Sequence, residues 1–311
     1  MPVSNISNYY FVEQARSDIN RVQRELLNTQ RMTATGRRVE DVKDAAVLAA
    51  PVVTTRQMMA RAEARGEALN EVKPRLQLQD LSLGRGVEVA RELRLDIISM
   101  ISLNNAERLT ERLQEAFAVA ATEINATWNG GYMFGGDRTD APPLAVTSLG
   151  ALAALPSGTA AFNTVQRAQT LDLGDGFNVQ IADRGVDVAS DLFEAFRQIQ
   201  LVLDANGGTL TAPLTPAQKA ALEAALPALD QAATTMSQAQ ARNGELAKRV
   251  DRESVAMSQR VSTLEKALGD QVDADLAEVA LRLSQLQVQY QATATTFSQL
   301  KDLSLLNYLR T

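Results

Sequence analysis

Apolar positions fall into helical stripes at both ends of the chain and lose that period in the middle. Near the N-terminus Val12, Ala15, Ile19, Val22, Leu26 and Thr29 recur in steps of three and four, the a/d spacing of a coiled coil. This predicts a helix that stops at Thr35-Gly36, with Gly36 as the glycine that ends it. Residues 37–44 read as a connector. A second helical run starts near Ala45 and reaches Leu103, with a bend expected at Pro74. Beyond the Asn104-Asn105 turn, Leu109, Leu113, Ala116, Ala120, Ile124 and Trp128 predict a third helix, which stops at Asn129-Gly130-Gly131.

Farther on, Leu171 and Leu173, then Gly174-Asp175-Gly176, then Phe177, Val179 and Ile181 read as a β-hairpin. Asp191 to Leu203 is helical again, and Asn206-Gly207-Gly208 ends it. From Leu229 the stripe Ala232, Met236, Ala239, Asn243, Leu246, Val250, Met257, Val261, Leu264, Leu268 predicts a rod about 60 Å long. Asn243 reads either as a polar position that fixes register or as a solvated edge residue. A last helix carries Leu276, Val279, Leu283, Leu286, Tyr290, Thr293, Phe297 and Leu300 on one stripe. Asp275, with Glu278 three residues on, forms a capping-box pattern at its start.

Glycine and proline mark the change of pattern. Of 17 glycines, 11 lie between Gly130 and Gly208, and five of the nine prolines lie between Pro142 and Pro216. The fold class that follows is mainly α: a long antiparallel helical bundle with paired terminal coiled-coil helices and a small β-rich insert. Three domains are expected: 1–44 with 270–311, 45–138 with 188–269, and the insert 139–187. Gly130, Gly131, Gly135 and Gly136 are the expected hinge into the insert.

Each terminal stripe covers one side of a single helix, and such a helix is marginal alone in water. The two ends must therefore pair with each other or with other copies. The candidate assembly interface is Val12, Ile19, Val22 and Leu26 at one end, with Leu276, Val279, Leu283, Leu286, Tyr290, Phe297 and Leu300 at the other.

Composition narrows the chemistry. The 311 residues include no histidine and no cysteine, and the formal net charge is −6. That excludes Ser-His-Asp and Cys-His nucleophile systems, Cys/His zinc sites and disulfides. Asp273, Asp275 and Glu278 lack the glycine turn and further ligands of a calcium loop, and capping accounts for them. The run Gly130-Gly131-Tyr132-Met133-Phe134-Gly135-Gly136-Asp137 follows a helix, the wrong context for a phosphate loop. No enzyme, catalytic residue, cofactor or metal is expected. An isoelectric point near 5.0 argues against nucleic acid as the partner. No apolar run reaches the length of a membrane span, and the start has no pattern of a cleaved signal peptide.

Longer motifs carry a resemblance. Asp273-Ala274-Asp275-Leu276-Ala277-Glu278-Val279-Ala280, Leu283-Ser284-Gln285-Leu286-Gln287 and Leu303-Ser304-Leu305-Leu306-Asn307-Tyr308-Leu309 resemble the terminal helix of the bacterial flagellin family. Thr35-Gly36-Arg37-Arg38-Val39 is similar to that family's segment after its first helix, and Ala90-Arg91-Glu92-Leu93 to its central helix. The resemblance spans 1–138 and 188–311. Tyr132 to Asp137, with Thr139 and Pro142-Pro143, resembles the lead into the outer domain of the family's hook–filament junction members. One departure is Glu40-Asp41-Val42-Lys43-Asp44-Ala45, which stands where the family has Asp-Asp-Pro.

The resemblance implies a structural adaptor subunit of the extracellular flagellum, exported unfolded through the type III apparatus. Its implied partners are other copies of itself in a ring, a neighbouring hook-associated junction protein and flagellin. A cytoplasmic export chaperone on the C-terminal helix is implied as well. In that picture the terminal helices line an inner tube, the central bundle forms the outer wall and the insert projects outward. A filament flagellin with a reduced outer domain is the alternative within the family. A signalling coiled coil of the chemoreceptor type explains neither the insert nor the terminal motif.

Overall fold

The computed structural model describes residues 3–38, 46–163, 167–172 and 178–308. Among these, seven α-helices carry the fold: α1 Val3–Thr35, α2 Ala46–Ser102, α3 Leu109–Ile124, α4 Leu149–Ala153, α5 Gly185–Asp204, α6 Pro216–Val272 and α7 Leu276–Tyr308. Two small antiparallel pairs accompany them, β1 Thr127–Trp128 with β2 Gly131–Tyr132, and β3 Gln169–Asp172 with β4 Asn178–Ala182. The mainly-α expectation with a small β insert holds. By its contacts the chain divides into two compact units, Met1–Ala62 with Gln259–Thr311, and Glu63–Ser258.

In the first unit α1 and α7 pack along each other. Gly36 takes φ +69° and its N–H donates to Met32 O at 2.8 Å, so it ends α1 as expected. A backbone clip follows: Arg38 N–H donates to Val272 O at 2.7 Å and Ala274 N–H to Gly36 O at 3.0 Å. The end of α1 thus lies beside the start of α7, and the two helices run antiparallel. Asp275 caps α7, its Oδ1 accepting from the N–H groups of Ala277 at 2.9 Å and Glu278 at 3.3 Å. The connector around Glu40 to Ala45 lies outside the described residues.

In the second unit one apolar cluster joins α2, α3, α5, α6 and the insert. The α5 helix is its centre. Val188, Ala189, Leu192, Phe193, Phe196, Ile199 and Leu203 repeat at helical spacing and are fully buried. Burying each such Leu- or Phe-sized side chain contributes about 1.5–3 kcal/mol. Phe193 stands edge-on to Phe117, Phe162 and Phe196, with ring centroids 5.8, 5.5 and 5.6 Å away. Phe162 comes from the insert, as do the buried Leu144, Leu149 and Leu152. The insert therefore shares the core of the helices rather than building its own.

Several boundaries differ from expectation. The α3 helix stops at Ile124, so Trp128 is not on its stripe but in β1, and Phe117 joins the buried face instead. The α6 helix starts at Pro216, well before Leu229. Its start has a reciprocal capping box: Gln218 N–H donates to Thr215 Oγ1 at 3.2 Å, and Thr215 N–H to Gln218 Oε1 at 2.9 Å. Proline at the first helical position fits this cap, because its missing N–H would have no partner there. The α2 helix runs unbroken through Pro74. Leu171 pairs with Val179 in the expected hairpin, whose turn at Gly174-Asp175-Gly176, with Leu173 and Phe177, lies outside the described residues.

Candidate assembly interface

The seam between α1 and α7 is built from the expected stripes. Val22 is 2% exposed, Thr29 4%, Leu286 5% and Val279 9%. Ile19, Leu26, Leu283, Tyr290 and Phe297 are half-buried around them. Leu276 is not in the seam; it is 55% exposed. The side chains of Val12 and Leu300 lie outside the described residues.

A second apolar row on α7 escaped the sequence reading. Ala277, Leu281, Val288 and Ala292 are exposed, Leu281 at 62% and Val288 at 65%. At roughly 100° per residue these fall within about 40–60° of one another and opposite the row Val279, Leu283, Leu286, Tyr290. One partner helix covers one face, so α1 leaves this row in solvent. Leu27 of α1 is likewise 55% exposed. The signal was present as Leu281 and Val288 seven residues apart, but the stronger stripe beside it masked it.

The four hinge glycines gather at the start of the insert. Asn129 and Gly130 take φ +49° and +80°, and Thr127 pairs with Tyr132 across them. Positive φ at both central residues is the hairpin turn that Asn-Gly favours. Gly136 also has positive φ, +61°. Gly131 and Gly135 are required by close approach: a Cβ on Gly135 would stand 2.3 Å from Arg138 O, and one on Gly131 3.1 Å from Thr139 Cβ. The segment between them is pinned. Met133 and Phe134 are buried, Met133 N–H donates to Ala126 O at 3.0 Å, and Gly185 N–H donates to Phe134 O at 2.8 Å.

Two charged groups hold the insert to the helices. Arg75 of α2 is buried and donates to Met133 O at 3.2 Å and to Gln169 Oε1. Burial lowers its pKa from the ordinary arginine value. Glu194 of α5 has its pKa lowered to about 2, first by hydrogen bonds from Arg197, then by the Gly158 N–H and Gln198, against the opposing effect of burial. The Gly158 N–H donates to Glu194 Oε2 at 2.6 Å, and a Cβ on Gly158 would stand 2.4 Å from Glu194 N. Only glycine lets this turn rest on the α5 backbone.

Asn243 resolves its two readings. It is 8% exposed and its Nδ2 donates to Leu76 O at 2.8 Å, which ties α6 to α2 at one register. Among the described residues no group of three or more acidic side chains is placed to hold a metal ion. No described helix is long and apolar enough to cross a membrane.

Comparison with known proteins places this arrangement. Residues 6–139 match the family model of the bacterial flagellin N-terminal helical region, and residues 226–309 that of the bacterial flagellin C-terminal helical region. Among solved structures, a Vibrio parahaemolyticus chain assigned as a flagellar hook-associated protein superposes with a TM-score of 0.58 at 15% identity, covering 74% of this chain and 100% of that one. Bacillus cereus FlgL gives a TM-score of 0.49 at 12% identity, covering 65% of this chain and 98% of that one. None of the curated proteins matches in sequence.

Proposed function

We propose that this chain, which belongs to the bacterial flagellin family, is the adaptor subunit at the flagellar hook–filament junction. As a family member it is a structural component of the flagellum. The finer reading makes it a ring of its own copies between a neighbouring hook-associated protein and the first flagellin subunits.

The observation that carries assembly is the half-covered terminal pair. The helices α1 and α7 bury one apolar row and leave Leu281 and Val288 exposed on the opposite face of α7. Neighbouring copies supply the missing cover. The small insert and the similarity to a hook-associated fold support the junction over the filament. Before export, the same row is a ready surface for a cytoplasmic chaperone, and a chain without disulfides loses nothing by passing through unfolded.

Immunolabelling of intact cells tests the junction. A band at the hook–filament boundary is expected, with hooks but no filaments in a deletion strain. Label along whole filaments would overturn the junction reading in favour of a filament flagellin with a reduced outer domain.

A further inference from the structure

Two grooves flank α2 within Glu63–Ser258. The first, about 270 Å³, is bounded by α2, α6 and β4, with Leu83, Phe134 and Leu246 among its apolar lining. Its charged side chains are Arg242 and Arg249 against one carboxylate, Asp183. Gln79 lines it from below. That side chain is 2% exposed, and its Nε2 has no hydrogen-bond partner. A buried amide donor left unpaired costs about 1–3 kcal/mol, so the groove suits a group that brings an acceptor. The two guanidinium groups beside it select a carboxylate among acceptors.

The second groove, about 130 Å³, lies between α2 and α3 and has the opposite charge. Glu88, Glu92, Asp96 and Glu115 line it against Arg85 and Arg112. Both arginines are already engaged, Arg85 with Glu88 at 3.1 Å, and Arg112 with Asp96 at 2.7 Å and Glu115 at 2.8 Å. The surplus is negative and Glu92 is exposed. From Gln79 to Glu88 the helix makes about two and a half turns, which places the two grooves on opposite faces of α2.

We propose that copies of this chain meet side to side, the Gln79 groove of one receiving an acidic side chain from the α2–α3 ridge of the next. The contact joins two different patches, so it repeats head to tail and generates a ring or helix rather than a closed pair. It rests on the reading of the chain as a repeating subunit, and it adds a contact that the terminal helices do not supply.

The chain has no cysteine, so introduced thiols are unique. Asn178→Cys marks the groove and Val119→Cys marks the ridge, and neither removes a charged lining residue. Purified full-length N178C and V119C chains, mixed and treated with a short bis-maleimide, should cross-link to each other in preference to themselves. A chain carrying both should give a ladder. Glu88→Lys with Glu92→Lys in the V119C chain should lower the yield roughly tenfold, and Arg242→Glu in its N178C partner should recover it. Gln79→Leu, which changes no charge, should also lower it, and this variant decides the matter if a reversal unfolds the bundle by circular dichroism.

No preferential cross-link, or one indifferent to charge reversal, overturns the proposal. So does a shift of the Gln79 side-chain amide resonance on adding glucuronate without any cross-link, which would make the groove a small-acid site. Immunolabelling reads the junction separately. A chain that cross-links but sits elsewhere sinks the junction alone, and a junction chain that does not cross-link sinks the groove alone.

Discussion

The unit Glu63–Ser258 and the α1–α7 pair use the same residue types and bury them differently. In the first, Phe193 and Phe196 are fully enclosed by α3, α5 and the insert. In the second, two helices face each other along one row, with Leu276, Leu281 and Val288 outside it. A helix with neighbours on several sides can bury a broad apolar face, whereas a helix with one neighbour buries a narrow one. The bundle therefore completes its core within one chain. The terminal pair reaches a comparable burial only among copies.

The largest test of that contrast is removal of 276–311. Incorporation into flagella should be abolished, while the helical circular dichroism of 63–258 persists. Collapse of the whole spectrum would show that the bundle leans on α7. Next comes a matched pair of truncations. Phe193→Ala should cost about 3–5 kcal/mol in urea unfolding of the purified chain, because the ring sits in a closed cluster. Leu286→Ala should cost less than half as much in the same measurement yet impair assembly more. Equal costs in solution would erase the distinction between a finished core and an open seam.

The smallest effect concerns acid. The Glu194 carboxyl is held near a pKa of about 2 in the folded chain. A depressed carboxylate contributes stability that is present above its unfolded pKa near 4.5 and is lost as pH falls toward 2. Urea unfolding should show Glu194→Gln destabilised at pH 6, with the gap to the unaltered chain closing at pH 2.5. A gap that persists in acid would assign the loss to packing of the Gly158 turn instead of charge.

Much of the helical skeleton was legible because periodicity is a local property. Gly36, Asp275 and the stripe from Ala232 to Val250 each carry their reason within a few residues. The Asn129-Gly130 pair was misread for an equally local reason: the residues that stop a helix also make a two-residue hairpin turn, and only strand pairing separates the two. Trp128 followed that error. The candidate interface was half legible. Its buried row has the coiled-coil period, but whether Leu276 faces α1 or solvent depends on where the partner axis lies.

Chain order and residue type determined the helices, their caps, the division between helical ends and a glycine-rich middle, and the chemistry excluded by the absence of histidine and cysteine. Tertiary structure decided which contacts join distant segments: Arg75 on Met133, Glu194 on Gly158, Asn243 on Leu76, and the insert's Phe162 against Phe193. Each links residues far apart in sequence, where no period connects them. The physical reason is that hydrogen bonds and ring contacts depend on positions within tenths of an ångström, and those are set only when the helices have packed.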